Sequence, residues 1–542
     1  MRIPQTHAQT SLYLIVVCLL LFLSGFFTLP PTDRDESRFA QATKQMVASG
    51  DYVNIRLQNV ARNKKPVGIH WLQAATVKIS SYGEAAPIWV YRIPSLLGAI
   101  AAVLLTYWAL LPLMQREEAF FAALLLASCV LLSVEARLAK TDAVLLATTT
   151  ATMGALLRIF LNHHKTKAVW LFWLALSASF LIKGPIVLLV AGGAAVFLSL
   201  WKRSAAWLKE TKSLFGIPFF IAVNAPWYIA IIIMTNGEFL QGSVGHDMFG
   251  KVVGGQETHG GWPGTYLVLV WFTFFFASCF LASMLPRLKQ VWRQENIFIL
   301  LAWIVPTWIV FELVPTKLPH YVLPVYPALA GLVAILLSQN NWQMKTRWQT
   351  ICMSSLVWVP AALLVFGFFL LLLRGEHADF VLPVLAAATV WLGFMAFRKS
   401  QDNVRQTILL SVMSAILLYF GIFQRVLPNW REMWLSPRLA EAVQKNTPCE
   451  NPLLASVSYH EPSLVFATRT DILLTDGAGA AEYLMDGGCR VALIDEARAN
   501  DLNDFQQRLR HDGISAKRLT AVDGRNVNGG TLRHIGLWML EK

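Results

Sequence analysis

The chain has 542 residues, 55% of them hydrophobic and 15% charged, with a formal net charge of +13. Soluble domains run near ~45–50% apolar and ~25% charged, so this composition is displaced toward lipid and excludes an ordinary soluble protein. The basic residues are scattered over short loops, which points to membrane topology and anionic head groups rather than to nucleic acid.

Apolar runs set the organisation, because crossing ~30 Å of hydrocarbon takes ~20 residues. In chain order the predicted spans are 10–30, 89–111, 118–134, 142–161, 167–182, 184–201, 214–234, 264–285, 296–314, 320–338, 351–373, 378–396 and 404–425. The first reads as a retained span, since no small-x-small cleavage pattern follows Leu29. The expected fold is mainly α: a polytopic membrane helix bundle of thirteen spans over residues 1–425, with a small C-terminal α/β domain over 426–542. In that last part the strand-like runs 453–457, 490–494 and 535–540 alternate with a helical stretch near 499–510. Cys18, Cys129, Cys279 and Cys352 fall in apolar runs and read as packing residues, whereas Cys449 and Cys489 lie in the polar C-terminal part.

Loop charge gives an orientation. Arg158, Lys167, Lys202, Arg203, Lys209, Lys212, Arg287, Lys289, Arg347 and Arg398 crowd one set of loops. The positive-inside rule makes that set cytoplasmic. The N-terminus is then inside, and an odd number of spans puts the first loop 31–88, the loop 235–263 and the C-terminal domain on the outer face. If that face is a periplasm, Cys449 and Cys489 sit where a disulfide can form.

The outer face also carries the chemistry. Asp33-Arg34-Asp35-Glu36-Ser37-Arg38 follows the first span directly, more charge than a helix N-terminus needs. Thr32 ahead of Asp35 fits a helix-start capping pattern. Phe39, Thr43, Met46 and Val47 then share one face of a helix suited to lie along the membrane surface. Arg62, Lys64 and Lys65 offer cations to a phosphate, or snorkel to lipid head groups. Span mouths carry Glu135, Arg137, Lys140, Asp142, Lys183, Lys317 and His320, groups that are costly near membrane depth unless they face a cavity or one another. The glycine-rich stretch 245–263, with Glu257 and His259, is long enough to act as a lid and holds two metal-ligand types. There is no Walker loop, dinucleotide fingerprint or zinc-protease motif, which disfavours soluble nucleotide-sugar or ATP chemistry.

Asp35-Glu36-Ser37-Arg38-Phe39-Ala40, Lys65-Pro66, Arg137 to Asp142, Lys183-Gly184 and Lys317-Leu318-Pro319-His320-Tyr321-Val322-Leu323-Pro324 fall in the order seen in bacterial GT-C glycosyltransferases. The chain resembles their aminoarabinose transferase and lipid A-modifying branch, related to protein O-mannosyltransferases. The resemblance implies transfer of a sugar from a polyprenyl-phosphate donor to lipid A, another glycan or a protein, at the outer face of a bacterial inner membrane. By the resemblance, Asp35 matches the catalytic aspartate of the first loop, Arg38 the arginine three residues on, Lys65 the lysine of the lysine-proline motif, Asp142 the acid opening a later span and His259 the lid histidine. Taken with the residue types on the outer face, the expected catalytic carboxylates are Asp35, Glu36 and Asp142, the expected donor-phosphate cations are Arg38, Lys65, Arg137, Lys183 and Lys317, and the expected lid and substrate residues are Glu257, His259, His320 and Tyr321. Family members commonly carry an acid before the lysine-proline pair, which helps hold a metal with the lid histidine. Lys64 stands there instead, which argues against a divalent metal on His259; no other cofactor is expected.

Two roles for Asp35 stay open: general base toward an acceptor hydroxyl, or orienting group for an acceptor phosphate. The rival reading is a transporter or flippase for a lipid-linked glycan, which would need polar groups near span midplanes that these runs lack. The C-terminal patch Tyr459-His460-Glu461-Pro462-Ser463 is expected to help select the acceptor.

Overall fold

Thr6 opens the first membrane helix, His7–Phe22: its hydroxyl accepts from the Gln9 N–H while the Gln9 side chain reaches back to cover the start. From there a computed structural model describes residues 5–163, 165–243, 260–338, 346–376 and 379–541. Each predicted span overlaps a helix or a broken pair of helices, the first ending at Phe22 rather than near residue 30. Among the described residues nine helices are long and apolar enough to cross a membrane, and His7–Phe22 and Ile186–Lys202 are apolar but shorter. Ser213–Met234 and Arg347–Leu373 turn Leu214, Ile217, Ile221, Ile233, Trp358 and Phe366 outward, as helices solvated by hydrocarbon do.

Two of the predicted spans are interrupted, and the interruptions lie against each other. Residues 118–134 form Arg116–Ala127 and Val130–Glu135, and the Ser128 carbonyl at the break accepts the Tyr419 hydroxyl at 2.6 Å. Residues 264–285 form Thr265–Thr273 and Phe275–Val291, and the Thr273 carbonyl accepts from Cys129 Sγ at 3.0 Å. Freed backbone groups at membrane depth are tolerated where protein takes them up, which is what these contacts do. Cys18, Cys129, Cys279 and Cys352 are all buried thiols.

The first loop folds into the helix Asp35–Ser49, a short hairpin of β1 (Arg56–Leu57) and β2 (Val60–Ala61), and the helix Gly68–Ser80. Phe39, Thr43 and Met46 face inward as the amphipathic spacing requires. The helix start departs from the expected capping pattern. Its N-cap is Arg34, at φ 59° and ψ −97°, while the Thr32 N–H and hydroxyl donate to Glu36 Oε2 at 2.9 and 3.0 Å. Gly68 lets the second loop helix seat against a membrane helix: a Cβ there would stand 2.6 Å from the Leu181 carbonyl oxygen.

The C-terminal part is a five-stranded sheet in the order β4-β3-β5-β7-β6, built from β3 (Leu453–Val457), β4 (Leu473–Thr475), β5 (Arg490–Asp495), β6 (Ala516–Asn526) and β7 (Thr531–Leu540). The first three run parallel, and β6 and β7 close the sheet as an antiparallel pair. Alternation along β5 splits the core: Val491 and Leu493 join Leu439 and Val443 of the helix Leu435–Asn446, and Ala492 and Ile494 join Leu484, Phe505 and Leu509. Covering both faces explains why β3 and β5 are mostly apolar on both sides. Cys449 and Cys489 are joined as a disulfide, Cα atoms 6.4 Å apart, at the entrances to those strands.

Candidate active site

The first loop is fixed to the membrane bundle by a buried ion pair. The Glu36 carboxylate receives Arg92 Nε at 2.7 Å and Nη2 at 3.0 Å, and also the Ala139 N–H at 3.0 Å. Arg92 spends its remaining donors on the carbonyls of Phe26, Leu29 and Pro30. Burial would raise the Glu36 carboxyl, but Arg92 and the backbone donors reverse this and hold it below the usual range. Glu36 therefore joins the first loop, the helix Ile88–Leu110 and the segment leading to Lys140. Expected as a catalytic acid, it is fully enclosed and its oxygens are engaged, so it serves as an anchor.

That anchor brings the start of the helix Asp35–Ser49 beside the mouths of three membrane helices. Asp35 is more than half exposed, and Arg38 Nη1 lies 3.5 Å from its carboxylate one helical turn on. Beneath them sits a buried charge cluster. Lys183 Nζ donates to Asp142 Oδ1 at 2.5 Å, and Lys140 Nζ donates to Glu135 Oε1 at 3.2 Å. His320 stands between the two carboxylates, 3.9 Å from Glu135 through Nδ1 and 3.9 Å from Asp142 through Nε2. Tyr321 packs its ring edge-on against His320 and faces Lys183. The Lys183 helix ends at Gly184, whose positive φ breaks it, and Pro66 packs near that turn. The lysine-proline and lysine-glycine pairs thus meet in space, and the Lys65 charge acts on His320. Burial alone would lower the Lys140 ammonium, but Glu135, Asp142 and Asp35 hold it well above the ordinary lysine range. Among the described residues the charges are paired, Asp35 with Arg38, Glu135 with Lys140 and Asp142 with Lys183.

Two expected phosphate-binding cations are placed elsewhere. Arg137 donates to the carbonyls of Leu21, Ser24 and Ser133 and stacks on Phe423, sealed from solvent, so it ties the first helix to the broken one. Lys317 Nζ gives its bonds to the carbonyls of Phe311, Glu312 and Val314 at 2.6 to 2.8 Å, closing the end of the helix Glu295–Leu313. Lys317 has no donor left for a ligand, and Arg137 is 1% exposed. Glu257 and His259 lie outside the described residues. The end of their loop returns through a bridge between Gly260 and Thr316, beside Lys317.

Glu135, Asp142 and His320 each offer one ligand atom, and these lie within 4.8 Å of one another. That spacing suits a metal, yet each carboxylate already faces a lysine ammonium. The positive charge a metal would bring is present in Lys140 and Lys183, so the donor set fits an ion-pair cluster better than a metal centre. The loop helices are held together separately. Thr43 Oγ1 donates to Gln73 Oε1 at 2.7 Å and so receives the His70 Nδ1 proton at 2.8 Å, with burial and nearby Arg62 pushing that imidazole down to about 3.

A family profile for dolichyl-phosphate-mannose-protein mannosyltransferases matches residues 64–229. An uncharacterized protein of Aquifex aeolicus is 26% identical over 338 residues, covering 61% of this chain and 74% of that protein. The undecaprenyl phosphate-alpha-4-amino-4-deoxy-L-arabinose arabinosyl transferase of Aeromonas hydrophila is 25% identical over 503 residues, covering 86% and 87%. The crystal structure of ArnT from Cupriavidus metallidurans bound to undecaprenyl phosphate superposes with a TM-score of 0.76 at 18% identity, over 97% of both chains. The chain is a membrane-embedded glycosyltransferase of the GT-C fold. Within that class it is similar to the aminoarabinose transferases, as the order of its motifs implied, and more distantly to the protein mannosyltransferases.

Proposed function

We propose that this enzyme transfers a sugar from undecaprenyl phosphate, or a closely related polyprenyl phosphate, to lipid A or another envelope glycan on the periplasmic face of the inner membrane. Residues 1–425 form the catalytic membrane unit and 426–542 a periplasmic domain, with the N-terminus cytoplasmic. The asymmetric loop charge supports this orientation, and so does the Cys449–Cys489 disulfide, which belongs in an oxidising compartment.

One observation carries the reading: an exposed carboxylate, Asp35, with Arg38 beside it, stands near a buried cluster of paired charges whose lysines are Lys140 and Lys183. An acceptor oxygen attacks the anomeric carbon, the bond from that carbon to the donor phosphate oxygen breaks, and the electron pair leaves with the phosphate. Charge grows on that phosphate, where Arg38 and Lys65 are placed to meet it, and preorganised cations act most strongly on developing charge. Asp35 takes the proton of an acceptor hydroxyl or orients an acceptor phosphate. Asp142 and Lys183 act as a pair that positions His320 and Tyr321 beside them.

The test compares lipid A and other envelope glycans by mass in cells with the protein, without it, and with Asp35→Asn. One glycolipid should lose a single sugar increment in both deficient strains. Full product from Asp35→Asn would remove the assigned role. Vesicles that translocate a lipid-linked glycan with no glycosylated product would replace the transferase with a flippase.

A further inference from the structure

We infer that the C-terminal domain completes the active site: Ser463, Glu461 and Asn528 are positioning residues that hold Arg34 in its strained backbone conformation and thereby aim Asp35. The inference rests on the proposed role of Asp35.

Arg34 occupies φ 59° and ψ −97°, a combination that side chains bearing a Cβ avoid and glycine adopts readily. Its carbonyl accepts the Arg38 N–H at 2.8 Å, the first bond of the helix. The direction in which Asp35 leaves the turn is therefore set by these two dihedrals. Strained residues persist where their surroundings over-determine them. Here the surroundings belong to the other end of the chain. The Ser463 hydroxyl donates to the Asp33 carboxylate, across 430 residues of sequence. Ser463 Oγ lies 2.7 Å from Ser436 Oγ, which lies 2.8 Å from the Tyr459 hydroxyl, so the donor belongs to a buried chain of hydroxyls. Glu461 lies 3.8 Å from Arg34 Nε and is itself held by the Asn526 amide at 2.9 Å. The Asn528 amide, turned so that its oxygen faces donors, accepts from the Arg34 guanidinium.

The grip continues along the helix. Gln41 Nε2 donates to Thr470 Oγ1 at 2.8 Å, and Gln58 Nε2 donates to the carbonyls of Thr470 and Ile472 at 3.0 and 2.7 Å. Phe466 packs on Tyr91 and under Lys44. The helix Asp35–Ser49 is thus held by the Glu36–Arg92 pair on the membrane side and by the C-terminal domain on the other. The patch expected to select an acceptor supplies two of the contacts, Glu461 and Ser463.

The test uses the full-length protein in nanodiscs, with lipid-linked sugars and glycolipids extracted from cells lacking it as donor and acceptor. Ser463→Ala and Asn528→Ala should lower kcat at least fivefold while KM for the extracted donor and binding of undecaprenyl phosphate stay within twofold. Ser463→Thr, which keeps the hydroxyl, should remain within twofold of wild type. Arg34→Gly added to Ser463→Ala should restore at least half the activity, because glycine adopts the φ of position 34 without the clamp. Unchanged kcat in Ser463→Ala and Asn528→Ala, with Asp35→Asn inactive, overturns the clamp alone. So does a failure of Arg34→Gly to rescue. Full activity in Asp35→Asn overturns the reading beneath it.

Discussion

Glu36 and Arg92 form a two-point ion pair, 2.7 and 3.0 Å, in which both side chains are closed to solvent. Breaking such a pair from one side leaves a buried charge uncompensated, whereas replacing both partners removes the charge altogether. Glu36→Met and Arg92→Met should each lower stability by about 3–5 kcal/mol. The double variant should recover part of that loss, the remainder reflecting the carbonyls of Phe26, Leu29 and Pro30 and the Ala139 N–H that lose their partners. Thermal unfolding in detergent measures it, and additive losses in the double variant would show that the two residues act independently.

Asp33 gives a dependence on pH. Burial first, and then repulsion from Glu461, push its carboxyl up to about 6; the Ser463 hydroxyl, the Val527 N–H and Arg34 offset part of this, and the uncharged Tyr459 hydroxyl stands nearby. A carboxyl whose folded pKa exceeds its unfolded value near ~4 binds protons preferentially in the folded state. Its contribution is complete below the unfolded value and is lost as pH rises through about 6. Asp33→Asn should therefore match wild type near pH 4 and exceed it above pH 7 by on the order of 2 kcal/mol. The difference in unfolding midpoint, followed from pH 4.5 to 8, should grow and then level; a constant difference would contradict the assignment.

Gly68 tests the seating of the first loop. A methyl there would meet the Leu181 carbonyl at 2.6 Å, and backbone cannot swing aside as a side-chain tip can. Gly68→Ala should cost about 1–3 kcal/mol and separate Lys65 from Lys183, weakening undecaprenyl phosphate binding. Gly83→Ala is the control, since nothing lies within 4 Å of its Cβ position, although its φ of +56° adds a small backbone strain. Equal binding by wild type and Gly68→Ala would mean that the two lysines work without this contact.

Metal removal distinguishes an ion-pair cluster from a metal centre at Glu135, Asp142 and His320. With Lys140 and Lys183 supplying the positive charge, EDTA followed by gel filtration should leave transfer within twofold of the untreated enzyme. Loss of activity that zinc or manganese restores would assign those three side chains to a metal.

Much of this arrangement was legible in the chain. Apolar runs of ~20 residues located the spans, since hydrocarbon thickness imposes one length on every helix that crosses it. The breaks at Ser128 and Phe274 left no mark because Tyr419 and Cys129, which take up or face the loosened carbonyls, are distant in sequence. In the C-terminal sheet β3, β5 and β7 were readable as central strands with apolar runs. The edge strands β4 and β6 were missed, being short in one case and rich in exposed polar residues in the other. Asp35, Arg38, Lys65, Asp142, Lys183 and His320 do gather at one place. Charge alone could not separate them from Arg137 and Lys317, whose partners are carbonyls invisible in a list of side chains. Arg92 offered a signal that went unused: an arginine inside an apolar span must have a buried counter-charge. Ser463 offered none, because a lone serine near the end of the chain says nothing about the turn it meets.

The bond from Ser463 to Asp33 joins the C-terminal domain to a loop 430 residues earlier in the chain. A ribosome that stops early, or a terminal domain that fails to fold, leaves the membrane helices in place while the turn at Arg34 relaxes. On the proposed clamp, such a fragment would keep its membrane helices and lose the aim of Asp35.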